Sequence, residues 1–482
     1  DLIINGNGTL NVNAGYRNGI KSTDDCIIVS GTLNITSTED GIIGKDLCGV
    51  VAGDININAG SDGIKSTYDT DTTKGNVIIE GGNITIKASN DGIQAENILV
   101  INDGAINIKT NNGAADTTQT HIDNMDMGRG GFGFNNNKTT TTTDDTSESR
   151  KGIKAGNMLI INDGDITIDS DDDSVHCNSV IYIYGGTINA ATGDDGVHAD
   201  DLLTVNGGTI NITQCYEGIE ADDIVINDGD ISVVSSDDGI NSSDGSITIN
   251  GGNLLINASG DGLDANGSII INGGYIVVLG PTSDGDTAID YDDSCTINGG
   301  TVMAFGSSGM LEIPKGASNG ACIVTAFTSV SGGSKYTLSD SNGNEILSYT
   351  PSKAYAAAIV YSDKITTGNT YDITAGSTTL SIEVTSDVTS NVSSGLGKAG
   401  GMNMPGNGGS GMPNNGSSDN GMNGNSNGSM PDMSGNGAPD MNGNSSGDMP
   451  SMGGNSSNNG GNMPNMNNGS SNGSAPQMNN RM

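Results

Sequence analysis

Aromatic residues are almost missing from this chain of 482 residues, which has no Trp and only 4 Phe. Basic residues are few as well: 18 Lys and Arg stand against 57 Asp and Glu, giving a formal net charge of −39 at pH 7. Such a surface repels nucleic acids and anionic lipids, and it attracts cations. The composition therefore argues against nucleic acid as a partner. No stretch approaches the roughly 18 apolar residues that a membrane helix needs, so the sequence predicts no membrane span.

Glycine is abundant, with 76 residues, and many of these glycines lie in two recurring words. One word is Gly-Gly-Thr-Ile-Asn-Ile or a variant, as in "NGGTINIT". The other is Asp-Gly-Ile-x-small, as in "DDGVHADD". Both words return about every 22 residues. A fixed period of this size indicates a repeat architecture.

The local pattern within each period is that of β-strands. Ile210 and Ile212 alternate with Thr209 and Asn211, and alternation is typical of a strand. Gly, Asn and Asp separate three short strands per period and favour tight turns over helix. The sequence therefore predicts an all-β fold, a parallel β-helix of about twelve coils that climbs about 4.8 Å per coil. Asparagines that recur in register predict a ladder of side-chain amides at one turn.

The repeat divides the chain into three predicted domains. The β-helix covers 1–315 and carries an insertion loop at 113–150. Residues 316–392 contain alternating runs such as "ACIVTAF", which predict a small β cap or sandwich. A cap is required because an open last coil would expose a pairing edge. Residues 393–482 are rich in Gly, Asn, Ser and Met, cannot bury a core, and are predicted to form a disordered tail.

Six cysteines are too few to form the framework of a fold of this length. Cys26 and Cys48 lie one repeat apart, and stacking on adjacent coils would bring them within disulfide distance. A bridge there would be typical of an exported protein. The start at Asp1 rather than Met is consistent with a removed export signal, so we expect an extracellular or cell-surface location.

Carboxylates form two rows, one before and one after the short strand that begins with Gly-Ile. Equivalent positions stack in a β-helix, and two charges about 4.8 Å apart repel by about 3.5 kcal/mol at an effective dielectric near 20. A Ca²⁺ ion binds oxygens at about 2.3–2.6 Å, so it could contact a carboxylate from each of two coils. The alternative is that Asp-Gly is a favoured turn with hydrated carboxylates. The predicted Ca²⁺ ligands are Asp195, Asp200, Asp201, Glu217, Asp222, Asp223, Asp238 and Asp261.

The residue after each of these Ile or Val positions should point outward, and its charge changes along the chain from basic through histidine to acidic. One interpretation is a groove in which basic side chains bind the carboxylates of an acidic polysaccharide while calcium bridges others. The alternative is a solvated face of mixed charge. The predicted sugar-binding residues are Lys65, Lys154, His176 and His198, with Tyr216 as a candidate for stacking.

The segments "DDGVHADDLLTVNGGTINIT", "YEGIEADDIVINDGDISV" and "GPTSDGDTAIDYDDSCTINGGTVMAFGSSGM" resemble the bacterial family of carbohydrate-binding domain-containing proteins, which are exported β-helix proteins. The resemblance covers about 1–390. It implies a pectate-lyase-like right-handed β-helix that holds calcium and binds plant polysaccharide such as cellulose or polygalacturonate. The absence of Trp disfavours a flat aromatic platform for crystalline cellulose.

The sequence is compatible with three functions. The first is a non-catalytic carbohydrate-binding protein. The second is a polysaccharide lyase, which needs a base beside a sugar carboxylate; Lys65 or Lys154 could fill that role, but the regular coils lack a paired Arg-Lys signature. The third is an adhesive cell-surface rod, associated with a cell wall or matrix. Uronate binding, release of unsaturated product and fibre formation with calcium distinguish them.

Overall fold

The structure is a computed structural model that describes residues 1–115 and 149–392. These residues form β-strands and turns, with one short 3-10 helix at Gly113–Ala115. Each coil contributes strands to three faces, which we number 1 to 3 in the order in which the chain meets them from the Gly-Ile word onward. The tail predicted at 393–482 and most of the predicted insertion loop lie outside the described residues.

Face 1 consists of short strands that begin at the Gly-Ile word: Ile20–Ser22, Ile42–Gly44, Ile64–Ser66, Ile93–Ala95, Ile153–Ala155, Val175–Cys177, Ile240–Ser242, Leu263–Ala265 and Ile289–Tyr291. Face 2 follows with Leu2–Ile4, Asp25–Ile28, Leu47–Val50, Asn76–Ile79, Ile98–Ile101, Met158–Ile161, Val180–Ile183, Ile247–Ile249, Ser268–Ile271, Ser294–Ile297 and Gly316–Ala317. Two longer strands, Val197–Val205 and Ile219–Ile226, run across both faces. Face 3 contains Thr9–Ala14, Thr32–Ser37, Asp54–Ala59, Asn83–Ala88, Ala105–Thr110, Asp165–Ser170, Thr187–Thr192, Thr209–Cys215, Asp230–Ser235, Asn253–Asn257, Tyr275–Leu279 and Thr301–Gly306.

Adjacent coils pair in parallel, with equivalent residues side by side. Ile64 pairs with Ile93, and Ile93 with Ile153, and all three are fully buried in one apolar interior. The predicted parallel β-helix is therefore confirmed. Face 3 holds twelve successive parallel strands, in agreement with the predicted number of coils.

The two words require glycine for different physical reasons. A Cβ at Gly63 would lie 2.4 Å from the Gly92 carbonyl oxygen and 2.5 Å from Ile86 Cγ2, so the turn before face 1 has no room for a side chain. Gly208, before face 3, has a φ of +93°, which glycine adopts without strain. The words therefore mark the two tight corners of each coil.

Antiparallel strands end the parallel stack. Tyr355–Ser362 pairs antiparallel with the last face 3 strand and with Ala321–Val330, which pairs in parallel with Val388–Ser390. A separate antiparallel sheet contains Tyr336–Asp340, Glu345–Tyr349, Thr370–Ala375 and Thr378–Glu383. A second hydrophobic core lies between this sheet and the outer side of the last face 3 strands. Phe305 packs in it, with its ring centroid 5.4 Å from that of Tyr336. The cap therefore covers the end of face 3 on its outer side.

Two further sequence predictions concern the corners and interior. The asparagine ladder is confirmed: Asn250 Nδ2 donates to Asn227 Oδ1 over 2.8 Å, and Asn272 Nδ2 donates to Asn250 Oδ1 over 2.8 Å. The suggested Cys26–Cys48 disulfide is wrong, since both are free and buried, although they pair in register. Burial raises the pKa of the Cys26 thiol to about 11, which keeps it protonated and unreactive.

Candidate functional site

The residues that follow the first Ile, Val or Leu of each face 1 strand form one continuous column on the outer side, as the sequence predicts, although Ile43 and His176 are buried there. Each member pairs in register with the member on the next coil, and the column passes from basic to acidic side chains. In order, the column contains Lys21, Ile43, Lys65, Gln94, Lys154, His176, His198, Glu220, Asn241, Asp264 and Asp290. We call Lys65 to His198 the cationic half and Glu220 to Asp290 the anionic half.

A hydrogen-bond ladder that sequence reasoning missed holds the acidic row before face 1. The aspartates of this row accept a hydrogen bond from the backbone N–H of the equivalent residue one coil further, whereas Glu217 Oε2 accepts from Asn241 Nδ2. Asp173 Oδ1 accepts from the Asp195 N–H over 3.1 Å, and Asp195 Oδ1 accepts from the Glu217 N–H over 3.3 Å. Asp238 Oδ1 accepts from the Asp261 N–H over 2.6 Å. The row is therefore partly stabilised by backbone dipoles, and a stacked acidic turn residue is the sequence signal for such a ladder.

In the cationic half, Asp62 and Asp173 each bind a cationic side chain through their other carboxylate oxygen. Lys65 Nζ lies 2.7 Å from Asp62 Oδ2. Lys151 Nζ lies 2.6 Å from Asp173 Oδ2, which also lies 2.8 Å from His176 Nδ1. Burial opposes ionisation of Asp173, but the charges of Lys151 and His176 outweigh it and hold the pKa of this carboxyl well below its usual range.

His198 lies where the two halves meet. Its Nδ1 is 3.1 Å from Asp195 Oδ2 and 3.3 Å from Glu220 Oε2, and its ring centroid is 4.9 Å from that of His176. Burial and the charge of Asp195 raise the pKa of Glu220 to about 8. Burial, followed by the charge of Asp173, raises the pKa of the Asp195 carboxyl well above its usual range. One imidazole thus faces more carboxylates than it can neutralise.

In the anionic half, Asp238, Asp261 and Asp264 form a carboxylate triad. One oxygen from each lies within 4.8 Å of the others. Burial, with the charge of Asp237, raises the pKa of Asp238 to about 8, and burial likewise raises that of Asp261 to about 8. Two oxygens on one Ca²⁺ ion, each at about 2.3–2.6 Å, are separated by at most about 5 Å. The triad therefore fits the size and the ligand chemistry of calcium.

The acidic row after face 1 does not form the ladder seen in the row before face 1, and it contacts mainly serine residues instead. Ser179 Oγ donates to Asp201 Oδ2 over 2.7 Å, and Ser243 Oγ donates to Asp222 Oδ1 over 3.1 Å. The Ser246 N–H donates to Asp223 Oδ1 over 2.9 Å. Asp200 Oδ1 instead lies 3.5 Å from His198 Nε2. Of the predicted ligands, the structure brings Asp238 and Asp261 together with Asp264, and it places Asp195 beside His198 and Glu220.

The remaining predicted sugar-binding residues occupy distinct positions. Lys154 Nζ donates to Ser149 Oγ over 3.2 Å, and Ser149 Oγ donates to Asp91 Oδ1 over 2.7 Å, so Lys154 reaches the acidic row through a hydroxyl. Tyr216 lies outside the column, in the turn before Glu217, where its backbone N–H donates to the Asp194 carbonyl. Lys65, Lys154, His176 and His198 therefore share one column, and Tyr216 flanks it.

These features define an all-β repeat protein, a parallel β-helix with an ordered column of ionisable side chains along one face. The model of a family described as carbohydrate-binding domain-containing proteins matches the chain twice, over residues 1–196 and 194–382. The chain therefore belongs to this family, and both fold and family fit a carbohydrate-binding role. No curated protein and no solved structure gives a significant match. Among the described residues, no helix is long and apolar enough to span a membrane.

Proposed function

We propose that this protein is an extracellular, non-catalytic binder of acidic polysaccharide, with polygalacturonate as the representative ligand. The polymer would lie along the column of face 1 and cross from the cationic to the anionic half. The observation that carries the proposal is the register of that column, which places basic and then acidic side chains on successive coils. A linear chain with a carboxylate on every sugar has the matching periodic charge.

The cationic half supplies direct contacts to sugar carboxylates. The ammonium group of Lys65 donates to Asp62, and an ammonium has three donors, so further donors remain for a ligand. Lys154 donates to a neutral hydroxyl and keeps its full charge for an anion. His176 and His198 lie at the end of this half, where their rings meet edge to face. This arrangement favours anionic sugars over neutral ones.

The anionic half needs a cation before it can accept an acidic ligand, and we propose Ca²⁺ there. Asp238, Asp261 and Asp264 would hold the ion. The raised pKa values of Asp238 and Asp261 support this assignment, because carboxyls that are costly to ionise are stabilised by a divalent cation. When bound, calcium supplies positive charge and open coordination positions for sugar oxygens.

Isothermal titration of polygalacturonate into the protein tests the proposal. We expect binding heat in calcium and a clear loss of affinity in EDTA, with no heat for a neutral β-glucan of similar length. Equal heats in calcium and EDTA would reject the role of calcium. Absence of heat for polygalacturonate under both conditions would reject acidic polysaccharide as the ligand.

A further inference from the structure

Face 2 carries a continuous apolar column on its outer side. The outward positions of its strands stack in register from the first coil to the last. In order they are Ile3, Ile27, Gly49, Ile78, Val100, Ile160, Tyr182, Thr204, Val225, Thr248, Ile270 and Thr296. None of these residues is charged, and most of the apolar side chains are partly exposed.

A second apolar column runs beside the first in the central coils. Ile98, Met158, Val180 and Leu202 stack in register, two residues before Val100, Ile160, Tyr182 and Thr204. Tyr184, which is 53% exposed, stacks on Tyr182 with a centroid distance of 6.4 Å and interrupts the asparagine ladder. Contiguous apolar patches of this kind on a soluble surface mark interaction sites.

The outer sides of the other faces differ. Face 1 presents ionisable groups, and face 3 presents mainly Asn and Thr in its regular coils, such as Asn34, Asn56, Thr85 and Asn107. The whole chain has a formal charge of −39, so two copies repel each other. The first outer column of face 2 adds no charge to this repulsion, and face 2 carries more aliphatic side chains on its outer side than face 1 or face 3, so the gain from burying apolar surface is largest there.

We propose that face 2 is a self-association surface, on which two copies of the chain pack face to face. The column is mainly aliphatic, with Val100, Ile160 and Val225 typical of it. Aliphatic side chains offer no hydrogen bonds to the hydroxyls of a sugar, and burial of an unbonded hydroxyl is unfavourable. A second flat sheet, packed about 10 Å away, would bury these aliphatic side chains without leaving polar groups unbonded.

The two rims of face 2 favour one symmetry for the proposed dimer. An acidic row that includes Asp201, Asp222 and Asp223 lies at one rim. The asparagine ladder with Asn227 and Asn250 lies at the other, where Glu80 occupies one position of the ladder. A two-fold axis parallel to the β-helix axis would place each acidic rim opposite the partner's ladder. A side-chain amide has two N–H donors, and the ladder uses one of them, so the second can meet a carboxylate.

The size of the surface fits a weak but specific dimer. Face 2 is about 55 Å long for about twelve coils, and its strands, mostly of three or four residues, make it about 12 Å wide, so two copies that pack over the whole face would bury about 1,300 Å². This is at the lower end of stable protein interfaces, about 1,200–2,000 Å². We therefore expect a reversible dimer that is stabilised by salt, because salt screens the repulsion between the two anionic chains.

Sedimentation equilibrium over a range of concentrations tests the proposal. The native full chain should shift from monomer to dimer mass as concentration and salt increase. The pair of substitutions Val100→Lys and Val225→Lys should lower the association constant at least tenfold. The matched pair Thr85→Lys and Thr167→Lys, at exposed positions of face 3, changes the net charge equally and should leave dimerisation intact.

A second, milder variant keeps the test valid if the Val100→Lys and Val225→Lys variant fails to fold. Ile160→Thr with Val225→Thr uses a residue that the column already contains at Thr204 and Thr248, and it should also weaken the dimer while circular dichroism stays native. A native protein that is monomeric throughout would overturn the proposal. So would equal effects of the two lysine pairs, or a monomer whose binding to insoluble cellulose depends on Val100 and Val225. Because face 1 variants are predicted to leave the mass unchanged, this test is independent of polygalacturonate binding.

Discussion

The two halves of face 1 have the same backbone but different electrostatics. In both halves the Gly-Ile word makes the same corner, and the carboxylate before it accepts a backbone N–H from the next coil. Asp173, in the cationic half, has Lys151 and His176 beside it and a lowered pKa. Asp238, in the anionic half, has a raised pKa, and no Lys or Arg forms an ion pair with it among the described residues. One outward residue per coil and its neighbours thus decide the chemistry of an otherwise uniform scaffold.

Replacing the equivalent carboxylates of the two halves should give the largest difference. Asp173→Asn keeps an acceptor for the ladder, but it leaves Lys151 with Asp172 alone and removes the buried anion beside His176. Breaking a buried ion pair costs about 3 kcal/mol. Asp238→Asn removes a carboxyl that is unfavourable to ionise, and it should be neutral or stabilising without calcium at pH 8. Urea unfolding midpoints in EDTA measure both. Equal losses would show that the ladder alone determines stability.

Calcium should stabilise the protein through the anionic half only. At about one hundred times the dissociation constant, a ligand of the folded state adds about 2.7 kcal/mol. Thermal unfolding in calcium and in EDTA should therefore differ for the native chain and for Lys65→Gln with Lys154→Gln. The difference should vanish in Asp261→Asn with Asp264→Asn. Stabilisation that persists in this second pair would place the ion elsewhere.

The pH dependence without metal should also separate the halves. Folding raises the pKa values of Glu217, Glu220, Asp238 and Asp261 to about 8, so the folded state holds more protons than the unfolded state above about pH 4. Stability is then greatest below about pH 4 and is lost progressively as pH rises to about 8, the pKa of these groups in the folded state. The lowered pKa of Asp173 makes the opposite contribution, because it stabilises the folded state above the unfolded pKa and this stability is lost as pH falls. That loss occurs only below about pH 4.

Melting temperatures in EDTA from pH 5 to pH 8 measure this loss, which Asp238→Asn with Asp261→Asn should reduce. A flat profile for the native chain would contradict the raised pKa values.

The asparagine ladder should show the smallest effect and no difference between the halves. Asn162 donates to Asn102 over 2.7 Å, and Asn250 donates to Asn227 over 2.8 Å. Asn162→Ser and Asn250→Ser should each lower the free energy of unfolding by about 1 kcal/mol, the usual contribution of one hydrogen bond. Chemical unfolding of both variants provides the comparison. Unequal losses would mean that the halves differ in their backbone as well as in their charges.

Periodicity made much of this fold predictable from sequence. Ile210 and Ile212 revealed the strands, and the spacing of the two words revealed the coil, because each coil repeats the same solution to burying apolar residues. The column from Lys65 to Asp290 followed from the same register. The carboxylate ladder did not, since it depends on which side-chain oxygen meets a neighbouring N–H. The free thiols of Cys26 and Cys48 could not be inferred either, because correct spacing does not decide whether a bond forms.

The most direct test of the account is the calcium dependence of polygalacturonate binding in variants of each half. Lys65→Gln with Lys154→Gln should bind several-fold more weakly and still require calcium. Asp261→Asn with Asp264→Asn should bind with reduced affinity that is the same in calcium and EDTA. If both pairs bind as the native protein does, or if both keep the full calcium requirement, face 1 is not the binding surface.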